Sequence, residues 1–235
     1  VDLIVVLSWL QEVVGVAIVY NTERGAGVDS CLVYDISSID WDILRAEFAQ
    51  SSTQTLEVQT VKDSVEQQLR RMVRRNPLRI DLYERYQRII NNYNQETDRV
   101  TIEQTFEELL RLVQTLSEED SRAVREGLTE EYLAVYDRLC ENKNDLSTQT
   151  RNRVKQIAQA LVEAIKSKLN ELTDWSDKET TRAQVKTLIY NYLYDENTGL
   201  PEKDYTDTDI EELSNVVYLH VYQQYRSGQD NPYAA

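Results

Sequence analysis

Glycine and proline are scarce, six and three among 235 residues. Turn-rich β architectures lean on both, so the shortage favours long helices. Cysteine is nearly absent. Cys31 and Cys140 lie far apart with no redox or metal spacing, which excludes a disulfide scaffold. Structural thiols in a reducing compartment fit best, with an interdomain disulfide as the alternative. The single histidine, His220, has Val216 and Gln224 four residues away, so no helical ligand pair exists. A structural or surface histidine is expected, and no metal. The one glycine-rich bit, Arg24-Gly-Ala-Gly27, lacks both the spacing and the lysine of a phosphate-binding loop, so no cofactor is expected. Positive charge is also in deficit: 41 acidic against 26 basic residues give -15. Such a surface repels nucleic acid at long range unless basic residues gather locally. The apolar stretch Val1 to Tyr20 is broken by Asp2, Ser8, Gln11, Glu12 and Gly15, so no membrane span is expected. No basic segment with a cleavage site marks a signal peptide. The chain starts without methionine, which predicts a fragment or a processed chain.

What is present is helical grammar. Residues 1–35 stay unassigned: β-branched Val13 to Tyr20 and Cys31 to Tyr34 flank a turn-like stretch, and a hairpin or a buried helix would both fit. Ser38 can cap a short helix with Trp41, Leu44 and Phe48 on one face. After a polar joint at Ser51 to Thr55, Val58, Val61, Val65, Leu69 and Met72 align on a helix. Asn76-Pro77 stops it, because a residue ahead of proline is pushed from the α region. Ile80, Tyr83, Tyr86, Ile90 and Tyr93 then form a stripe, which the polar run Asn91 to Asp98 breaks. Thr101 with Gln104 has capping-box spacing ahead of Ile102, Phe106, Leu109 (or Leu110), Val113 and Leu116. Ser117 to Asp120 has the spacing of a variant box, and Gly127 suits a helix end. Thr129 starts a helix with Leu133, Tyr136 and Leu139. The polar stretch Glu141 to Gln149 is the best internal linker. Beyond it run Val154, Ile157, Leu161, Ile165, Leu169 and Leu172. Ser176 to Glu179 reads as a full capping box for a helix with Ala183, Val185, Leu188, Ile189 and Tyr192. Thr206 to Asp209 caps the last helix, with Ile210, Leu213, Val217 and Val221. The expected fold is all-α and bundle-like: a lobe over 36–140, a second over 150–226, and a tail over 227–235.

Four stretches carry a family resemblance: NPLRIDLYERYQRIINNYNQETDRVTIEQTFEELLRL (Asn76 to Leu112), LSEEDSRAVREGLTEEYLAVYDRL (Leu116 to Leu139), LTDWSDKETTRAQVKTLIYNYLYDENTGLP (Leu172 to Pro201) and YTDTDIEELSNVVYLHVYQQY (Tyr205 to Tyr225). In texture and order the chain resembles the C-terminal helical region of the R (restriction, motor) subunit of type I restriction-modification enzymes, over about residues 36–225. The resemblance implies a non-catalytic, cytoplasmic assembly module. Its partner would be the methyltransferase (M) subunit, and the motor, nuclease and ATP chemistry would lie in other polypeptide.

Candidate sites follow from charge and aromatics. Lys62 to Arg88 holds eight basic residues against four acidic, net +4, so the remainder carries -19. Arg70, Arg71, Arg74, Arg75 and Arg79 cluster near the end of one helix, where positive charge also suits the helix dipole. An ordinary solvated helix end, docking to an acidic protein surface, and contact with a DNA backbone are the open readings. Tyr218, Tyr222 and Tyr225 share a face of the last helix, as an interface or as the edge of a core. Adjacent carboxylates such as Glu107-Glu108 and Glu130-Glu131 read as solvated faces or helix N-terminal charge. An acidic protein that imitates DNA to block an enzyme is the alternative function. The arginine cluster opposes it, since a mimic wants unbroken negative potential.

Overall fold

The computed structural model describes residues 54–95, 99–226 and Tyr233. The expected N-terminal hairpin or helix, the helix capped by Ser38, and Cys31 lie outside the described residues. Among the described residues there are eight α-helices, one 3₁₀ turn and no strand. They are α1 (Gln54–Arg75), the 3₁₀ turn (Pro77–Arg79), α2 (Ile80–Gln95), α3 (Arg99–Asp120), α4 (Arg122–Glu126), α5 (Glu130–Cys140), α6 (Thr148–Glu171), α7 (Glu179–Tyr194) and α8 (Asp207–Gln224). The fold is all-α. Contacts divide it into two units, with boundaries at Arg70/Arg71, Ile80/Asp81 and Asp120/Ser121. The first unit holds the α1 residues up to Arg70, with Asp81–Asp120. The second joins Arg71–Ile80 to everything from Ser121 onward.

In the first unit, α1 buries Val58, Val65 and Leu69, as the spacing predicts. On α2, Tyr86, Ile89, Ile90 and Tyr93 are buried. Ile80, expected at the head of that stripe, is 47% exposed: it is the first residue past the 3₁₀ turn, before the helix face is established. The Tyr86 hydroxyl donates towards the Lys62 carbonyl (3.3 Å) and Glu66 Oε2 (3.2 Å), fastening α2 to α1. On α3, Leu109 and Leu110 are both buried, with Leu112 besides, so its apolar face is wider than a single stripe. Two expected starts are corrected. α3 begins at Arg99, ahead of Thr101, and it runs through Ser117 to Asp120 without a new start. Leu112, Val113 and Leu116 are buried in succession, so the backbone is already committed to helix when it reaches Ser117.

In the second unit, α5 packs on α6, α6 on α7, α7 on α8, and α8 returns to α5, closing a four-helix arrangement. Leu133, Leu139, Ile157, Leu161, Ile165, Val185, Ile189, Val217 and Val221 fill it. Gly127, at φ +69°, ends α4 in a left-handed turn: its N–H donates to Val124 O and the Leu128 N–H to Ala123 O, a Schellman pattern with Ala123 and Leu128 buried together. Thr129 caps α5, Ser147 caps α6, and Thr206 with Asp209 closes a reciprocal box on α8. The box expected at Ser176 does not form. Ser176 is drawn inside next to buried Trp175, its Oγ turns to Asp177, and α7 starts only at Glu179. Ala183, expected on the buried stripe of α7, is exposed; Val185, Ile189 and Leu193 form it, at spacing four. The segment Glu141 to Ser147 connects α5 to α6 within this unit. Lys143 ties it to Asp209 (2.8 Å) and to the Asp204 carbonyl (3.1 Å). Gly199 is obligatory in the loop after α7, because a Cβ there would stand 2.4 Å from the Leu193 carbonyl oxygen.

Candidate interaction surface

The arginine cluster divides at Asn76. Before it, Arg70, Arg71 and Arg74 are exposed on α1, at positions that share one helical face. Arg70 forms an i,i+4 pair with Glu66 at 2.6 Å, and its own side chain stays 69% exposed. That pair draws the Glu66 carboxyl below the usual range, the hydrogen bond from Arg70 acting first. Such exposed pairs contribute little to stability. Arg75 is half-buried.

Asn76 breaks the helix in an extended conformation, φ -133° and ψ 98°, and is itself buried. Its Oδ1 accepts the Leu78 N–H (3.2 Å), and its Nδ2 donates to Asp137 Oδ2 on α5 (2.7 Å). Asp137 also takes the Arg122 fork, at 2.5 and 3.1 Å. Arg79 then turns inward. It is 4% exposed and donates to both Glu130 oxygens, at 2.7 and 3.4 Å. Arg79 therefore does not share the open face of Arg70, Arg71 and Arg74. It holds the 3₁₀ turn against the start of α5.

The last-helix tyrosines line the edge of the second unit's core. Tyr218, Tyr222 and Tyr225 are partly buried against it. Trp175 meets Tyr222 edge-on at 5.9 Å and donates its indole N–H to the Tyr225 carbonyl at 2.7 Å. Arg226 stands over the Tyr222 ring at 5.7 Å. The Tyr225 hydroxyl donates to Glu131, which also receives Lys166 at 3.1 Å. Burial, then that carboxylate, pushes the Tyr225 phenol far up. Glu130 and Glu131 do stand in the first turn of α5, but each is used by a partner from elsewhere in the chain, and Glu131 is only 9% exposed. Adjacent carboxylates in sequence give no sign of this, because the cations that seek them are 51 residues before (Arg79) and 35 after (Lys166).

His220 is buried in α8, with its Nε2 3.3 Å from the Tyr233 hydroxyl. Burial first, and the Arg138 charge second, lower its pKa to about 4. Cys140 is free and partly buried, and burial pushes its thiol up. Among the described residues, no group of three or more His, Cys, Asp and Glu is placed to hold a metal ion. Nor is any helix among them long and apolar enough to cross a membrane. A shallow open groove follows α7, lined by Lys168, Gln184, Thr187, Asn191 and Asp195, with no nucleophile and base converging in it.

No curated protein and no solved structure matches this chain. A family does. Residues 27–221 match the family described as "Type I restriction enzyme HindI endonuclease subunit-like, C-terminal". That span takes in every helix boundary described above save the end of α8, and the chain belongs to this family of type I restriction enzyme C-terminal domains.

Proposed function

We propose that the chain is a non-catalytic, cytoplasmic assembly module. It joins the ATP-dependent translocase and endonuclease part of a type I restriction enzyme to the methyltransferase-specificity core, through the M subunit. Family membership over residues 27–221 carries this reading. The exposed arginines Arg70, Arg71 and Arg74 supply a docking face for an acidic protein surface, in a chain whose net charge of -15 would otherwise repel one. A pull-down with purified methyltransferase complex is the test. The full chain is expected to be retained, and Arg70→Ser/Arg71→Ser/Arg74→Ser to be lost. No retention of the folded wild-type chain would defeat the proposal. The isolated chain is expected to hydrolyse no ATP and cut no DNA.

Contact of the same arginines with a DNA backbone is a second use of the face. It predicts that the triple variant loses DNA binding with a shallower salt dependence. The acidic-mimic reading predicts instead that the chain competes with DNA for a restriction complex. The arginine face interrupts the negative potential such a mimic needs.

A further inference from the structure

Most lysines of the second unit are paired. Lys143, Lys155, Lys166, Lys168 and Lys203 each reach a carboxylate. The other two, Lys178 and Lys186, are exposed at the start and in the middle of α7, with half-buried Arg182 between them. Among the described residues none of these three side chains forms an ion pair. Acidic residues outnumber basic ones by 41 to 26, so a shortage of carboxylates does not explain this. Nor does the helix itself favour these cations. Lys178 is the N-cap of α7 and makes no side-chain cap bond, and the dipole at a helix start opposes positive charge.

The row continues along the helix. Steps of four from Lys178 pass through Arg182 and Lys186 to Tyr190 and Tyr194, one ridge of the α7 surface. Val185, Ile189 and Leu193 are the buried positions, so the ridge follows a flank of α7 and not its core face. That flank looks towards α8: burial raises the Tyr218 phenol, and the nearby Arg182 charge opposes the rise. Tyr190 and Tyr194 stack on each other, with 5.6 Å between ring centres and 11° between ring planes. Tyr190 packs against the core, while Tyr194 is 50% exposed. Three cations without ion pairs thus lead onto an aromatic shelf that its own stacking holds in place.

We infer that this ridge is a docking surface for an acidic amphipathic helix of a partner protein. Three carboxylates spaced four apart on that helix meet Lys178, Arg182 and Lys186, and apolar side chains one and two turns further meet Tyr190 and Tyr194. Side chains four apart stand about 6 Å from one another on any α-helix, so the two rows match in pitch. A nucleic-acid strand fits less well. Each stacked ring spends a face on its neighbour, and the net charge of -15 repels a polyanion at long range, whereas a helix with three carboxylates brings little charge. The surface goes beyond the assembly reading above: it asks nothing of Arg70, Arg71 or Arg74, and its test uses no methyltransferase.

The experiment is fluorescence anisotropy on the full chain. The probe is a labelled alanine-based helical peptide with glutamate at three successive i,i+4 positions and leucine at the next two. A twin of reversed sequence is run beside it, and the tighter of the two is scored. Binding that weakens with added salt is expected. Lys178→Ser/Lys186→Ser, both at exposed positions, should weaken it about fivefold, the loss of two exposed pairs. Tyr194→Ala should weaken it by a similar factor, and lysine in place of the peptide's glutamates should abolish it. Should Tyr194→Ala lose helical circular dichroism, the two lysine positions decide. No binding of either glutamate peptide, or equal affinity in Lys178→Ser/Lys186→Ser and wild type, would overturn the inference. So would tighter binding of a thymidine oligonucleotide of equal charge, which would make the ridge a nucleic-acid surface.

Discussion

Arg74 and Arg79 are five residues apart in one basic run and meet opposite surroundings. Arg74 is exposed on the last turn of α1. Arg79 is 4% exposed and grips Glu130 at 2.7 Å. What separates them is the break at Asn76-Pro77. It ends one helical face and swings the next side chains onto α5. A basic run is therefore two objects: before the break, a solvent-exposed face; after it, a buried clasp. The clasp is costly to break, because removing one partner strands the other charge away from water.

The largest expected effect follows from that asymmetry. Arg79→Ala should lower unfolding free energy by about 3 kcal/mol, whereas Arg74→Ala should stay within about 0.5 kcal/mol. Urea denaturation of both variants measures the contrast directly. Arg79→Met combined with Glu130→Leu should recover most of the loss; if it does not, the pair acts through more than its own charges. Asn76→Ala comes next. It removes the cap of the 3₁₀ turn and one of the bonds on Asp137, for about 2 kcal/mol, read as a lowered Tm. Arg122 still neutralises Asp137 in that variant, so the effect should remain below that of Arg79→Ala.

The third test uses pH. His220 titrates at about 4 in the folded chain, because burial and Arg138 on α5 disfavour its charged form. The Tyr233 hydroxyl faces it as a neutral group. Between that value and the ordinary histidine value, the unfolded chain binds a proton that the folded chain refuses. Stability from this group is therefore complete above the ordinary value and falls as pH drops towards 4, by roughly 1 kcal/mol per pH unit. The difference between wild type and His220→Gln, followed by denaturation from pH 7 to pH 4.5, should show this slope; carboxylates common to both cancel. A flat difference would mean that His220 reaches water. The smallest effect on stability belongs to Arg70→Ser/Arg71→Ser/Arg74→Ser, because these side chains stand in water and an exposed pair such as that of Arg70 with Glu66 contributes little. A larger loss would move these arginines into the same class as Arg79.

Much of the fold was legible from apolar spacing. The stripes on α1, α6 and α8 bury most of the residues their periods select, Val61, Leu169 and Leu172 staying half-buried, and the Thr206–Asp209 box forms as its spacing requires. Legibility fails where a distant contact outweighs a local preference. Ser176 has the same box spacing as Thr206, yet its neighbour Trp175 is pulled under Tyr222 and Tyr225, and the serine goes with it. The arginine cluster shows the same limit. Its position at a helix end was readable; the inward turn of Arg79 was not, because Glu130 declares itself only once α5 has folded alongside. Tyr233 gave no signal at all. A tyrosine in a polar stretch looks idle in sequence, and its bond to the Arg75 carbonyl 158 residues away is a long-range contact no local pattern announces.

The second unit is assembled from two separated pieces of chain, Arg71–Ile80 and the part from Ser121 onward. On the ribosome, Arg79 must wait 51 residues for Glu130, and Arg75 must wait 158 for Tyr233. At about 5–20 residues per second the second delay is roughly 8–30 s. From the time α5 is made, Arg79 and Asn76 already hold this junction, so the Tyr233 bond to Arg75 comes late to a turn that α5 has clasped first.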